Sequence, residues 1–260
     1  MNAAPTTLPT EPALTSYLLR HADDSLVHGQ RLCEWVARAP RIEDDVALLN
    51  IALDHIGHAR TLLTTVGERE GRGRSEDDLA FGRSEMEFSN ARVFELPNGD
   101  FGQTVAKLVC IALWETELFG AWAASDEAVL AEFGSGAERE CRYHLKYATT
   151  WAARLAGGTQ ESAERLEKGF AAVWPHLGEL LVIDSLVTDL ADVGVIPDHA
   201  RVGAAWTARL YAELAGLGLA LPELVAPAGP QGRQGNHLES FTSLLAEMQY
   251  LHRAHPGATW

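Results

Sequence analysis

The stretch Gln30–Arg60, QRLCEWVARAPRIEDDVALLNIALDHIGHAR, decides how this chain folds. Upstream of Arg38-Ala39-Pro40, the residues Leu18, Leu19, Leu26, Leu32 and Trp35 recur at helical spacing and predict a helix over about 15–37. Proline disfavours a helical conformation in the residue before it, so the helix must stop there. The acidic run Glu43-Asp44-Asp45 then suits the positive end of a second helix. That helix continues through Val46, Leu49, Leu53 and Ile56 towards Val66. A link this short makes the two helices an antiparallel hairpin.

Working outward, Gly71 to Gly102 has no sustained period. It is glycine- and charge-rich at first and then carries FELPNGDFGQ, whose Pro97-Asn98-Gly99 is a turn signal. The segment reads as a long crossover with a short helix near Glu85. A third helix follows over about 102–124, with Leu108, Ile111, Leu118 and Trp122 on one stripe. A fourth, over about 126–155, carries Tyr143, Tyr147 and Trp151 and ends at Gly157-Gly158. Gly134-Ser135-Gly136 reads as an interruption or turn. Two hairpins joined by a long crossover have the connectivity of a ferritin-like four-helix bundle. Further helices are expected near 160–176, 177–191 and 198–217, then a Pro/Gly loop from Pro222 to Gly235 and a last helix over about 238–252. The expectation is an all-α, ferritin-like bundle with additional C-terminal helices, a single domain over 15–260 after a flexible polar tail, 1–14.

Composition narrows the function. Of 260 residues 47% are hydrophobic, with seven Trp, enough for a sizeable core. The formal charge of −15 argues against nucleic acid or an anionic membrane as partner. Cys33, Cys110 and Cys141 are scattered, which fits a reducing compartment and no disulfide framework. The N-terminal MNAAPTTLPTEPALT lacks the basic and apolar regions of a signal peptide. No charge-free apolar run approaches the ~20 residues of a membrane span. A cytoplasmic protein is expected. Nucleotide-binding and nucleophile-elbow motifs are absent from the sequence.

Bundles of this connectivity often hold two metal ions, using single Glu residues on two helices and Glu-x-x-His on the other two. In that register this chain reads His55-Ile56-Gly57-His58 and Cys141-Arg142-Tyr143-His144: both histidines are present and both glutamates are gone. The first helix offers Asp24, Ser25 and His28; the third offers Glu115 on its apolar stripe. On the simplest reading, Asp54/His58 and Glu140/His144 are i,i+4 pairs, Cys141 is a small core residue, and Glu115 sits at a groove rim or pairs with a base. On a sharper reading, Asp54, His58, Glu140, His144 and Glu115 form a metal site in an unusual register.

The segments QRLCEWVARAP (30–40), LLNIALDHIGHAR (48–60), FSNARVFELPNGDFGQT (88–104), ERECRYHLKY (138–147) and LAEMQYLHRAHPGATW (245–260) resemble the C subunits of bacterial phenylacetyl-CoA ring-1,2-epoxidases. The resemblance spans nearly the whole chain beyond the tail. It implies a non-catalytic structural subunit of an NADPH-dependent di-iron monooxygenase complex that epoxidises phenylacetyl-CoA in aerobic phenylacetate degradation. The iron would sit in a homologous catalytic A subunit, with further small subunits and a flavin/iron–sulfur reductase as partners and no cofactor in this chain. Under the resemblance Ser25, His55, His58, Cys141 and His144 are vestigial ligand positions, and the third-helix position is Ala112 or Glu115. The seven Trp, among them Trp35, Trp122, Trp151 and Trp206 on expected helices, would suit either a core or an interface with a partner. The alternative is a metal-dependent di-iron oxygenase in its own right, with a rearranged ligand set.

Overall fold

Long amphipathic helices joined by a tight link must pack against each other, and the computed structural model, which describes residues 10–258, shows that they do. Helix α1 (Thr10–Cys33) lies along α2 (Ile42–Glu70). After the crossover, α5 (Phe101–Ala123) lies along α6 (Ala128–Ala156). The crossover contains α3 (Glu76–Phe81), a 3-10 turn at Glu85–Glu87 and α4 (Arg92–Glu95). Beyond the bundle, α7 (Gln160–Leu177) and α9 (His199–Gly216) pack on α5, and α8 (Ser185–Asp192) packs on α1. The last helix, α10 (Glu239–Ala254), reaches α1 and α3. Among the described residues there is no strand, and no single helix is long and apolar enough to cross a membrane. This is the all-α, ferritin-like bundle that the sequence predicts.

Helix α5 is the centre. Every residue from Thr104 to Thr116 is buried, as expected of a helix covered on all sides. Two of them, Lys107 and Glu115, are charged residue types, so each must answer for its burial. Asp100 caps the helix by accepting the Gln103 amide at 2.9 Å.

Several boundaries differ from expectation, each for a physical reason. Helix α1 begins at Thr10, inside the expected tail; residues 1–9 lie outside the described residues. It ends at Cys33 rather than near Ala37, in a run of i→i−3 bonds from Glu34 to Arg38. That run includes Ala37 at φ +62°. Trp35 therefore sits in the turn, where its indole donates to Thr104 Oγ1 at 3.0 Å. The helix expected over 177–191 divides into a 3-10 turn (Gly178–Leu181) and α8, because the Asp184 carboxylate accepts the Val187 amide and starts a new helix. Gly134-Ser135-Gly136 is not an interruption: α6 runs through it. A Cβ at Gly134 would lie 2.5 Å from the Ala123 amide nitrogen and 2.6 Å from the Phe119 carbonyl. The glycine is there to let α6 approach α5. Gly29 plays the same part between α1 and α2, where a Cβ would meet the Ala52 carbonyl at 3.0 Å. Trp122 and Trp206 are fully buried and belong to the core.

Candidate functional site

All four bundle helices send polar side chains into one buried cluster. Helix α1 contributes His28, which Gly29 lets stand against α2. The His28 ring meets His55 edge-on at 4.6 Å, and neither of its nitrogens has a hydrogen-bond partner. Helix α2 contributes His55 and His58, one turn apart. Helix α5 contributes Glu115, and α6 contributes Cys141 and His144. His55 lies 5.2 Å from His144, ring to ring, and 5.8 Å from His58.

The expected i,i+4 pairs do not form within their helices. His58 Nε2 bonds Glu140 Oε2 at 2.7 Å, and His144 Nε2 bonds Asp54 Oδ2 at 2.9 Å. Each bond crosses between α2 and α6. As one residue number rises by four the other falls by four, which is the register of antiparallel helices. With Nε2 committed to a carboxylate, each ring has Nδ1 left over. Both Nδ1 atoms are buried and unpartnered, as is His55 Nδ1.

Glu115 is not at a groove rim; of the two expected alternatives it faces a base, the His55 imidazole. It is 2% exposed; its nearest polar neighbours are the Cys141 thiol, donating to Oε2 at 3.7 Å, and His55 Nδ1, 3.6 Å from Oε1. Burial, with the charge of Asp24 adding to it, pushes the Glu115 carboxyl well above the carboxylate range. Burial likewise holds His28 and His55 well below the usual histidine value, each helped by its basic neighbours. It raises the Cys141 thiol, with Glu115 adding to the effect. Of the two third-helix candidates, Glu115 faces the cluster. Ala112 offers no side-chain ligand, and its carbonyl accepts the Thr116 hydroxyl at 2.6 Å. The Ser25 hydroxyl is buried and has no partner among the described residues.

This donor set does not match a carboxylate-bridged pair of metals. Such a centre needs several ionised carboxylates around two ions. Among the fully buried side chains gathered here, Glu115 is the one carboxyl, beside His28, His55, Cys141 and His144, and burial raises it well above the carboxylate range. Cys141 is the small buried residue it was expected to be, with Glu115 beside it.

Sequence reasoning passed over two residues. His28 was one of three polar choices on its helix, and only the packing of α1 on α2 singles it out. Lys107, two turns before Glu115 on α5, is fully buried. It donates to the Leu96 carbonyl at 2.8 Å and to Asn98 Oδ1 at 3.3 Å. Burial lowers its ammonium to about 7. Its position on a wholly apolar stripe was the available signal.

Outside the cluster, α2 and α6 border a groove of about 530 Å³ lined by Asp54, His58, Phe133, Gly136 and Glu140 among others. The same two helices expose Ile42, Val46, Leu53 and Tyr143 to solvent.

Comparison with known proteins agrees with this architecture. The family model described as phenylacetic acid catabolic protein matches residues 2–260. The chain is 39% identical over 247 residues to the C subunit of the 1,2-phenylacetyl-CoA epoxidase of Escherichia coli (strain K12). The match covers 95% of this chain and 99% of that relative.

Proposed function

This chain belongs to the phenylacetic acid catabolic protein family, and on that premise we propose that it is a non-catalytic subunit of a phenylacetyl-CoA ring-1,2-epoxidase. Its task is to pair with a homologous catalytic A subunit and stabilise it. The iron and the oxygen chemistry reside in that partner, which a flavin/iron–sulfur reductase supplies with electrons in the cytoplasm.

What supports this reading is the cluster itself: all four bundle helices contribute buried side chains to it, and at the positions that the resemblance maps onto di-iron ligands stand Ser25, His55 and Cys141 in place of carboxylates. A bundle that keeps its fold without the ligand set has lost the chemistry and kept the shape. The apolar side chains Ile42, Val46, Leu53 and Tyr143 on α2 and α6 supply a face for a mate. Co-expression with an A-type subunit, one partner tagged, tests the proposal. The two should co-elute as a stable hetero-oligomer, and the A subunit should be less stable alone. Failure to co-elute, with both proteins folded, would remove the pairing.

A second reading, an oxygenase in its own right, draws on one observation. His55, Glu115 and His144 lie together near a groove that opens to solvent.

A further inference from the structure

The entry to α10 is held by an imidazole that meets an acceptor at each ring nitrogen. His237 Nδ1 lies 2.6 Å from Glu95 Oε1, and Nε2 lies 3.1 Å from the Phe88 carbonyl oxygen. A neutral imidazole carries one N–H and can donate to only one of them. The other nitrogen would then turn its lone pair on an oxygen inside a buried site, at the cost of an unmade hydrogen bond. Both side chains of the pair are fully buried. Glu95 is met by further donors, Asn90 Nδ2 at 2.8 Å on Oε1 and the Leu238 amide at 2.7 Å on Oε2. The extra proton of the pair therefore belongs to the ring.

We infer that the proton held between His237 and Glu95 locks the C-terminal segment, residues 237–254, onto the crossover, and that its loss as pH rises releases this segment while the four-helix bundle stays folded. The lock sits where the segment has no fastening of its own. Leu238 caps α10 without a side-chain hydrogen bond, so the start of the helix is fixed from outside. Glu95 does the fixing. Its carboxylate takes His237 and the Leu238 amide, and its carbonyl accepts Ser240 Oγ at 3.2 Å and Arg31 Nε at 3.0 Å. Beyond this point α10 returns to the crossover through Gln249, which donates to the Arg83 carbonyl at 2.8 Å.

Burial by itself works against a charged ring at 237. The hydrogen bond and charge of Glu95, the Phe88 carbonyl and the charge of Glu85 outweigh it and lift His237 above the usual histidine value. The other charged groups nearby are occupied elsewhere. Arg31 of α1 reaches the carbonyl of Glu95 and not its carboxylate, and Arg83 lies over the Phe88 ring while pairing with Asp23. His176 of α7 lies in the field of Glu95, and on α10 the ring beside His237 is Phe241, 4.6 Å away. A raised value in the fold sets the sign: the contribution is complete below about pH 6.5 and is lost as pH rises through the folded value. The inference rests on these side chains and not on the pairing proposed above.

The test uses the full chain. Nitrogen-detected NMR should show both ring nitrogens of His237 protonated at about pH 6, the signals being assigned by their loss in His237→Gln, with a midpoint above about 6.5. Hydrogen exchange read by mass spectrometry and corrected for intrinsic rate should show α10 losing protection above that midpoint. The loss should be about tenfold for each unit by which the folded value exceeds the ordinary one, while α5 keeps its protection. His237→Gln has no proton to lose, so its α10 should be less protected at about pH 6 and level thereafter. Glu95→Gln should bring the His237 midpoint down. A neutral ring at about pH 6, or α10 protection level across the range in the wild type, would overturn the inference. So would a fall that survives His237→Gln, which would assign it to His252, the α10 ring that faces Asp78 of α3. Equal loss of protection in α5 would also overturn it, since the pair would then serve the whole fold. If Glu95→Gln does not fold, His237→Gln decides the matter.

Discussion

Two buried polar regions of this protein contain the same kinds of residue and treat them in opposite ways. On one side of α1, Asp23, Asp24, Glu95 and Glu179 are all buried, and each is saturated with partners. Asp23 receives the Arg83 guanidinium and the Ser89 amide. Asp24 accepts two bonds from Arg233, at 3.0 and 2.7 Å, and the Ala91 amide at 2.8 Å. Glu95 takes Asn90, His237 and the Leu238 amide, and Glu179 takes Arg92 and the Arg233 amide. On the side of α1 that faces α2, the histidine cluster has orphaned nitrogens and an acid whose close polar neighbours are a thiol and a neutral imidazole. The first region ties the crossover and the C-terminal loop to α1. The second leaves its polar atoms open. Buried charge that is fully paired is structure; buried polarity that is left open marks a site.

The contrast makes opposite predictions for substitutions in the two regions. Arg233→Met should have the largest effect. It leaves Asp24 charged in the interior with no cationic partner, beside only the Ala91 amide and the His21 ring, a loss of about 3–5 kcal/mol. A calorimetric Tm should fall by roughly 10 °C. A loss under about 1 kcal/mol, the size of an exposed pair, would mean that the network is not what holds the C-terminal loop.

Acid titration comes next. The unfolded chain takes up protons at its histidines near the ordinary value of about 6.5, while His28 and His55 resist protonation in the fold. Their contribution is therefore complete above that pH and is lost as pH falls below it. From about pH 6.5 to 5.5 the two together should cost on the order of 2 kcal/mol. Denaturant midpoints across that window measure it, and His28→Leu should flatten the slope. Glu115 has the opposite sign: its raised value favours the fold at low pH and penalises it as the unfolded carboxyl ionises.

Interface variants rank third. Leu53→Asp combined with Tyr143→Ala should weaken the complex with the A-type subunit on the order of 30-fold, about 2 kcal/mol. Tm of the isolated chain should stay within a degree or two. Unchanged affinity by titration calorimetry would move the partner to another face. The smallest effect, and the one of unusual sign, is His28→Leu, which removes two unsatisfied nitrogens and should stabilise the metal-free protein by about 1–2 kcal/mol.

The sequence made the helical hairpins legible because a 3.6-residue period survives anywhere along the chain. Pro40, Gly71 and Gly157 punctuate it. The saturated network was invisible to that reading. Asp24 and Arg233 are more than two hundred positions apart, and no local pattern links an aspartate in a helix to an arginine in a Pro/Gly loop. At the cluster the residue types His55, His58, Cys141, His144 and Glu115 were legible, but their partners were not. Spacing by four within one helix suggested pairs that the antiparallel register of α2 and α6 replaces with crossed ones. The absence of glutamate at positions 55 and 141 could be read in the letters; the raised carboxyl of Glu115 and the unpaired ring nitrogens needed the packing.

On the reading proposed above, this fold has kept the shape of an oxygenase bundle and handed the chemistry to its partner. That division of labour is tested by supplying the chain alone with Fe²⁺, a reductase, NADPH, O₂ and phenylacetyl-CoA, and measuring ring-epoxide product. No product is expected until the A-type subunit is added, and product is expected afterwards. Product formed by the chain alone, in proportion to its bound iron, would contradict the division.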